Sequence, residues 1–241
     1  ELVDTAPWQD VVMEGDDVDL AKLPIPFHFT VDQAPYITAG QITARDPESG
    51  VDTTGFHRLM FKDKNRLGVS VHSRRRMYEF HRRAEVKGEN LPVAISLGIH
   101  PLHYMGSMAY HYPPNVRKYE IIGALFGESY KVASCGVEGL EIPAGAEIVI
   151  EGEILADTYE PEGPFGEIVG TYADAGESEV FHVNAMTRRA DPIHYGIHCA
   201  GNVGDFSCHC CGYFGIFLID FMQDGFCRQQ IDIHRGGISA L

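Results

Sequence analysis

Apolar side chains recur along this chain with a period of two more often than with a period near 3.6, and that contrast predicts its elements. Residues 35–43 (PYITAGQIT), 55–61 and 66–71 carry β-branched and aromatic side chains. Turn-forming stretches separate them, DPESG at 46–50 and KDKN at 62–65, so three strands joined as hairpins are predicted. The run 91–97 (LPVAISL) is a short, largely apolar stretch, the pattern of a buried strand. Further strands are predicted over 130–134, 140–142, 146–155, 180–187 and 193–198. Met77, Phe80, His81 and Ala84 share one face of a helix expected from about Arg74 to Lys87, with Ser73 as its N-cap and Gly88 just past its end. Residues 102–110 and 119–126 are expected to be shorter helices, the second closed by Gly127. Residues 1–34 are rich in Asp and Pro and predict an extended lead-in.

Many short strands with a few interleaved helices predict an α+β fold, a partly closed (split) β-barrel over residues 1–200. Residues 201–241 break the pattern and form an atypical Cys- and aromatic-rich tail. Its stretch 213–222 is too short to span a bilayer and is expected to pack on the domain or on a second subunit.

Composition adds limits. At 44% apolar and 22% charged residues, with no apolar run long enough for a membrane span, the chain reads as a soluble globular protein. A net charge of −15 argues against nucleic acid as a partner. The charge is uneven, however: residues 58–87 hold ten Lys and Arg against three acidic residues, a candidate anion site. Arg74, Arg75 and Arg76 fall in the first turn of the expected helix. Cations there oppose the helix dipole, and free backbone N–H groups beside guanidinium groups suit a phosphate. Pairing of these arginines with surface carboxylates is the other reading. The chain opens Glu1-Leu2-Val3-Asp4 without a visible export signal, and Cys199, Cys208, Cys210 and Cys211 cluster unlike a secreted disulfide framework. A cytoplasmic setting is therefore expected. Cys208-His209-Cys210-Cys211, with Cys227 and His234, offers metal-ligand types at a spacing that rarely closes a tetrahedral site; unpaired buried thiols are the alternative.

The densest candidate chemistry is PEGPFGE at 161–167. Two glycines and two prolines there exclude a regular helix and favour a defined turn that aims Glu162 and Glu167 at one point. Two carboxylates in unequal surroundings supply a fixed negative charge and a proton donor from one site. A solvated acidic loop is the bland reading.

Several segments in register resemble the UbiD-type decarboxylases, which use prenylated FMN: PYITAG at 35–40, GFHR at 55–58, NRLG at 65–68, LPVAISLG at 91–98, IGAL at 122–125, IPAGAEIVIEGEI at 142–154, PEGPFGE at 161–167 and VFHVNAMTRRADPI at 180–193. The resemblance covers roughly residues 30–200. It implies an Arg58–Glu162–Glu167 constellation, a prenylated FMN cofactor (or FMN), and an aromatic or α,β-unsaturated carboxylic acid as substrate, decarboxylated or, in reverse, carboxylated. Glu162 beside Arg58 is then expected to stay ionised and hold Arg58 against the flavin, while Glu167, facing an apolar cavity, is expected to have a raised pKa and act as general acid. The two glutamate roles are exchangeable at this level. Ser107 and Met108 fall at positions next to the flavin, with core packing as the alternative for Met108. At the family's metal-ligand positions stand Thr53, an arginine of the 74–76 run (Arg74 by ungapped counting) and Lys118. None is a good metal ligand at neutral pH. Either fixed cations (Arg74, Arg75, Lys118) replace the divalent metal and hold the flavin phosphate, or cofactor binding has decayed; His72 lies near the expected His. Family members are about twice as long, so a homo-oligomer, or a hetero-oligomer with other subunits, is expected. Two other functions stay open, an auxiliary flavin-binding subunit and a metal-binding structural module built on Cys208–Cys211.

Overall fold

A computed structural model describes residues 1–71, 75–109, 111–137, 139–167 and 171–199, together with the backbone of two later strands. In chain order the strands are β1 (Leu2–Val3), β2 (Val11–Glu14), β3 (Tyr36–Arg45), β4 (Asp52–Asp63), β5 (Arg66–Val69), β6 (Leu91–Leu97), β7 (Val132–Ser134) and β8 (Glu141–Pro143). They continue as β9 (Ile148–Glu162), β10 (Phe165–Gly166), β11 (Tyr172–Ala173), β12 (Gly176–Arg188), β13 (Ile193–Cys199), β14 (Phe214–Phe221) and β15 (Cys227–Gln230). The α-helices are α1 (Arg76–Lys87), α2 (Pro101–Ser107) and α3 (Lys118–Phe126).

The predicted hairpins form, with β3 against β4 and β4 against β5, all antiparallel. The pairing continues β5–β12–β9–β6 and returns to β3, so six antiparallel strands make a closed hydrogen-bonded circuit. This is the α+β barrel expected from the strand pattern, and closure leaves the six strands no open edge across the circuit. Alternate side chains fill its interior: Ile37, Ile42, Leu59, Leu67, Val93, Ile95, Ile150, Ile154 and Phe181 are all fully buried. Each such burial stabilises by about 1.5–3 kcal/mol before chain entropy is counted. The other face of β6 is covered too, because Ala94 packs with Ala39, Val149, Trp8, Tyr104 and Ile142. Burial on both faces is why LPVAISL reads as a largely apolar run, with Ser96 its one polar residue.

Three expectations need correction. Helix α1 starts at Arg76, with Arg75 as an N-cap that makes no side-chain capping bond; Ser73 and Arg74 lie outside the described residues. Its C-terminus is as expected, since Gly88 takes the left-handed conformation (φ +70°) that glycine adopts without steric cost. Helix α2 stops at Ser107 rather than at 110, where the Met108 and Ala109 amides close onto the Met105 and Gly106 carbonyls. The lead-in is not merely extended: β1 pairs parallel with β7, and β2 lies along the 185–188 end of β12, beyond the reach of β5. Four residues of alternation among acidic and turn residues carry too little pattern for sequence to expose β2.

The apolar stretch at 213–222 contributes β14, which pairs with β13 and β15 of this same chain. The Cys208–Cys211 cluster and His234 fall outside the described residues. Among the described residues, no helix is long and apolar enough to cross a membrane.

Candidate active site

Arg58 sits on β4 next to Leu59, whose side chain faces the barrel interior, so the guanidinium projects from the outer face. Glu162 ends β9, the longest strand, which carries the chain out of the barrel to the same place. There Arg58 Nε donates to Glu162 Oε1 at 3.0 Å and Nη2 to Oε2 at 2.9 Å, a two-pronged pairing. The remaining nitrogen, Nη1, donates to Glu167 Oε1 at 2.5 Å. The three residues singled out in the sequence therefore meet around one guanidinium.

The environments of the two carboxylates differ. The Glu162 side chain is 4% exposed, that of Glu167 is 38%, and that of Arg58 is 20%. Burial works against the Arg58 charge, but hydrogen bonding and attraction to Glu162, then Glu167, outweigh it, and the guanidinium holds its proton more tightly than usual. Tyr36, on β3, donates its hydroxyl to Glu162 Oε1 at 3.2 Å. Burial first and the Glu162 charge second push that phenol above its ordinary pKa, so it remains a donor.

The turn is held from several sides. Gly163 has φ +86°, a conformation that side chains rarely adopt, and a Cβ there would sit 3.2 Å from the Asp174 carbonyl. The Gly163–Pro164 peptide is cis. Beyond it β10 pairs with β11, and the Glu167 amide donates to the Thr171 carbonyl at 2.8 Å. Phe165 packs against the Tyr36 ring (4.4 Å between centroids) and lies 5.3 Å from the Arg58 guanidinium carbon. From the lead-in, the buried Asp32 carboxylate accepts from the His28 and Phe29 amides and, across 134 residues, from the Gly166 amide at 3.1 Å. Lys62 donates to the Pro161 carbonyl. Sequence reading missed Tyr36, Asp32 and Phe165 as supports. Tyr36 and Phe165 stood inside quoted motifs, but nothing in one sequence distinguishes a supporting ring from a core ring.

A cavity of about 350 Å³ opens beside residues 53–57 of β4, immediately before Arg58. Thr53, Arg75, Ser107, Met108 and Lys118, all expected at a cofactor, line it, together with Arg76, Glu79 and Tyr112. Met108 is 52% exposed, so it is not packed in the core. Ser107 turns its hydroxyl back to the Tyr104 carbonyl (2.8 Å) and offers its own carbonyl to Lys118 Nζ at 2.7 Å. Thr53 Oγ1 lies 3.4 Å from the Tyr112 hydroxyl. Arg76 stacks over the Tyr112 ring, 3.7 Å from its centroid, and donates to the carbonyls of Tyr112, Pro113 and Val116. Burial first, then the charges of Arg76 and Arg75, lower the Lys118 pKa to about 8. Arg74, the ungapped candidate, lies outside the described residues.

The size of the cavity, its cations and the exposed Met108 thioether suit an anionic, partly apolar molecule such as FMN or prenylated FMN. The donors suit a divalent metal poorly. A threonine hydroxyl, guanidinium groups and an ammonium do not form a hard-oxygen ligand set. Among the described residues there is no group of three or more His, Cys, Asp or Glu side chains that could hold a metal ion.

Comparison with known proteins identifies the family. A family model described as UbiD, 3-octaprenyl-4-hydroxybenzoate carboxy-lyase Rift-related domain, matches residues 1–202. Anhydromevalonate phosphate decarboxylase of Methanosarcina mazei is 39% identical over 201 residues, 83% of this chain and 46% of that protein. Among solved structures, an evolved dimeric form of the UbiD-class enzyme HmfF from Pelotomaculum thermopropionicum, in complex with prFMN, is 39% identical with a TM-score of 0.78, covering 82% of this chain and 46% of that one. Vanillic acid decarboxylase of Sedimentibacter hydroxybenzoicus in its closed form is 29% identical with a TM-score of 0.76, covering 80% and 42%. The chain spans less than half the length of these relatives. With the family model running through the barrel, the Arg58 cluster and the cavity alike, the chain belongs to the UbiD family of carboxy-lyases.

Proposed function

We propose that this chain is the cofactor-binding catalytic core of a non-oxidative decarboxylase, which uses prenylated FMN to remove CO2 from an aromatic or α,β-unsaturated carboxylic acid and also runs in the carboxylating direction. The observation that carries this reading is a single guanidinium, Arg58, gripped by two glutamates of one constrained turn, on the same strand whose residues 53–57 line a cation-rich cavity. The HmfF structures with prFMN and with FMN support the choice of cofactor. Thr53, Arg75, Ser107, Met108 and Lys118 would hold it. When bound, the prenylated ring supplies a sink for the electron pair released as CO2 departs.

The chain's own residues do the rest. Glu162, bonded to both Nε and Nη2, fixes the guanidinium plane, and Tyr36 fixes Glu162. Arg58 Nη1 in turn orients Glu167 through Oε1, which leaves Oε2 to carry a proton. The bond from carbon to carboxylate breaks, CO2 leaves, and Glu167 Oε2 delivers its proton to that same carbon. Water then reloads Glu167, whose side chain is the more open of the two. Its single bond to Arg58 and its access to water favour Glu167 over Glu162 as the donor.

The relatives are longer and one is described as dimeric, which supports an oligomer that includes further domains in the same or in separate polypeptides. The clustered cysteines support a cytoplasmic site of action. A second reading, an auxiliary flavin-binding subunit, is favoured by this chain covering under half of its relatives. The test is reconstitution with prenylated FMN, a visible spectrum, and CO2 release from cinnamate-like and hydroxybenzoate-like acids and anhydromevalonate phosphate. Turnover supports the decarboxylase. Bound flavin with turnover only after a second polypeptide is added supports the subunit. Absence of both overturns the reading.

A further inference from the structure

The cavity beside residues 53–57 concentrates positive charge where little opposes it. Lys118, 8% exposed, spends one N–H on the Ser107 carbonyl, and its ammonium lies 5.4 Å from the centroid of the Tyr112 ring. Arg75, at the N-cap of α1, makes no side-chain capping bond and lines the same wall. Arg76 is already committed to backbone carbonyls and the Tyr112 ring, so its role is to add charge and hold the 112–116 segment. Glu79 is the one carboxylate among the described residues of the lining. Asp52, next along β4, is already gripped by Arg117, which also takes Glu141. Placing a buried ammonium near arginines is unfavourable unless an anion joins them, and a phosphate dianion would bond to Lys118 and Arg75 while offsetting the charge of Arg76.

We propose that this cavity is a phosphate-monoester site that works without a divalent metal, with Lys118 and Arg75 binding the phosphate oxygens directly. The depressed Lys118 pKa fits this: an ammonium short of a counter-charge gives up its proton more easily, and a phosphate would reverse that. Two sources present the same chemistry, the phosphate of a flavin mononucleotide and the phosphate of a phosphorylated acid substrate. The first rests on the proposed function; the second does not require a flavin here.

The test uses the whole chain treated with EDTA, with three probes: FMN, riboflavin and but-3-enyl phosphate. Affinities are measured by fluorescence quenching for the flavins and by calorimetry for the ester, in wild type, Lys118→Met, Lys118→Arg and Arg75→Gln. At least one phosphate ester is expected to bind in EDTA. Lys118→Met is expected to weaken it by about 30-fold or more, and Lys118→Arg by far less. Arg75 is exposed, so Arg75→Gln tests the site without disturbing the core, with an expected loss of about 3- to 10-fold. FMN binding tenfold or more tighter than riboflavin assigns the site to the flavin phosphate. Equal flavin affinities with Lys118-dependent binding of butenyl phosphate assign it to the substrate. Binding that disappears in EDTA and returns with Mn²⁺ or Mg²⁺ overturns the proposal, as does affinity unchanged in both Lys118→Met and Arg75→Gln, or no binding of either ester. Phosphate binding without CO2 release would sink the decarboxylase reading alone and leave this site standing.

Discussion

Arg58 Nε and Nη2 meet the two oxygens of Glu162 at 3.0 and 2.9 Å, although the partners stand 104 positions apart in the chain. The planar guanidinium and the planar carboxylate fit edge to edge, and that geometry fixes rotation as well as distance. Glu167 touches the same guanidinium through one bond and keeps more of its surface in water. The two glutamates are chemically identical, yet the fold gives them unequal work.

That inequality separates stability from activity. Glu162→Gln leaves a part-buried guanidinium with one of its two carboxylate charges gone and is expected to cost about 2–4 kcal/mol. Glu167→Gln removes a more exposed partner and is expected to cost about 1 kcal/mol or less. Turnover should fall about 10²- to 10⁴-fold in Glu167→Gln, the usual contribution of a positioned acid. Urea unfolding together with CO2 release checks both; equal destabilisation by the two variants would contradict this division.

Tyr36→Phe removes a hydrogen bond to a buried carboxylate, and its ring still packs on Phe165. The expected loss of stability is about 1–2 kcal/mol. If Tyr36 acts only by holding Glu162, turnover should fall far less than in Glu167→Gln with substrate KM little changed. A drop as deep as that of Glu167→Gln would instead make the phenol a participant in proton transfer.

Gly163→Ala forces an alanine to φ +86° with its Cβ 3.2 Å from the Asp174 carbonyl. The expected cost is at least about 1 kcal/mol, with the turn displaced and turnover lost out of proportion to stability. Gly88→Ala, at φ +70° in open space after α1, is the control: it carries a similar backbone cost and should leave turnover intact. Thermal unfolding and turnover measured on both variants decide it.

Lys118 gives the apo chain a pH signature. Burial, then Arg76 and Arg75, bring its pKa to about 8 in the fold, below the ordinary lysine value. The unfolded chain therefore binds more protons between that pH and the ordinary value near 10.5. Across that window stability rises with pH, and the penalty is fully present below about pH 8. Lys118→Met removes the penalty, so it is expected to be more stable than wild type at pH 7, by on the order of 2–3 kcal/mol, with the gap closing towards pH 10. Urea unfolding at both pH values in phosphate-free buffer checks the sign. A gap that is the same at both pH values would show that Lys118 titrates normally.

The strand periodicity, the Gly88 and Gly127 helix stops and the compact PEGPFGE turn could all be read from the chain, because each depends on neighbours a few residues away. The motifs in register also singled out Arg58, Glu162 and Glu167. Other matters were beyond local reading. The four-residue β2 has no signal of its own and exists because β12 extends past β5 and leaves an edge to pair with. Arg76, the first residue of α1, is tied by its side chain to the Tyr112 ring and carbonyl, 36 residues away, a contact no local pattern reveals. Asp32 and Tyr36 became supports of the turn only when the barrel brought β3 and the lead-in beside β9. Residue types and spacing determined which groups were able to do chemistry. Which carboxylate is clamped and which is open followed from contacts between segments a hundred residues apart, and where the cations gather from contacts between other segments distant in the chain, made only when the chain folds.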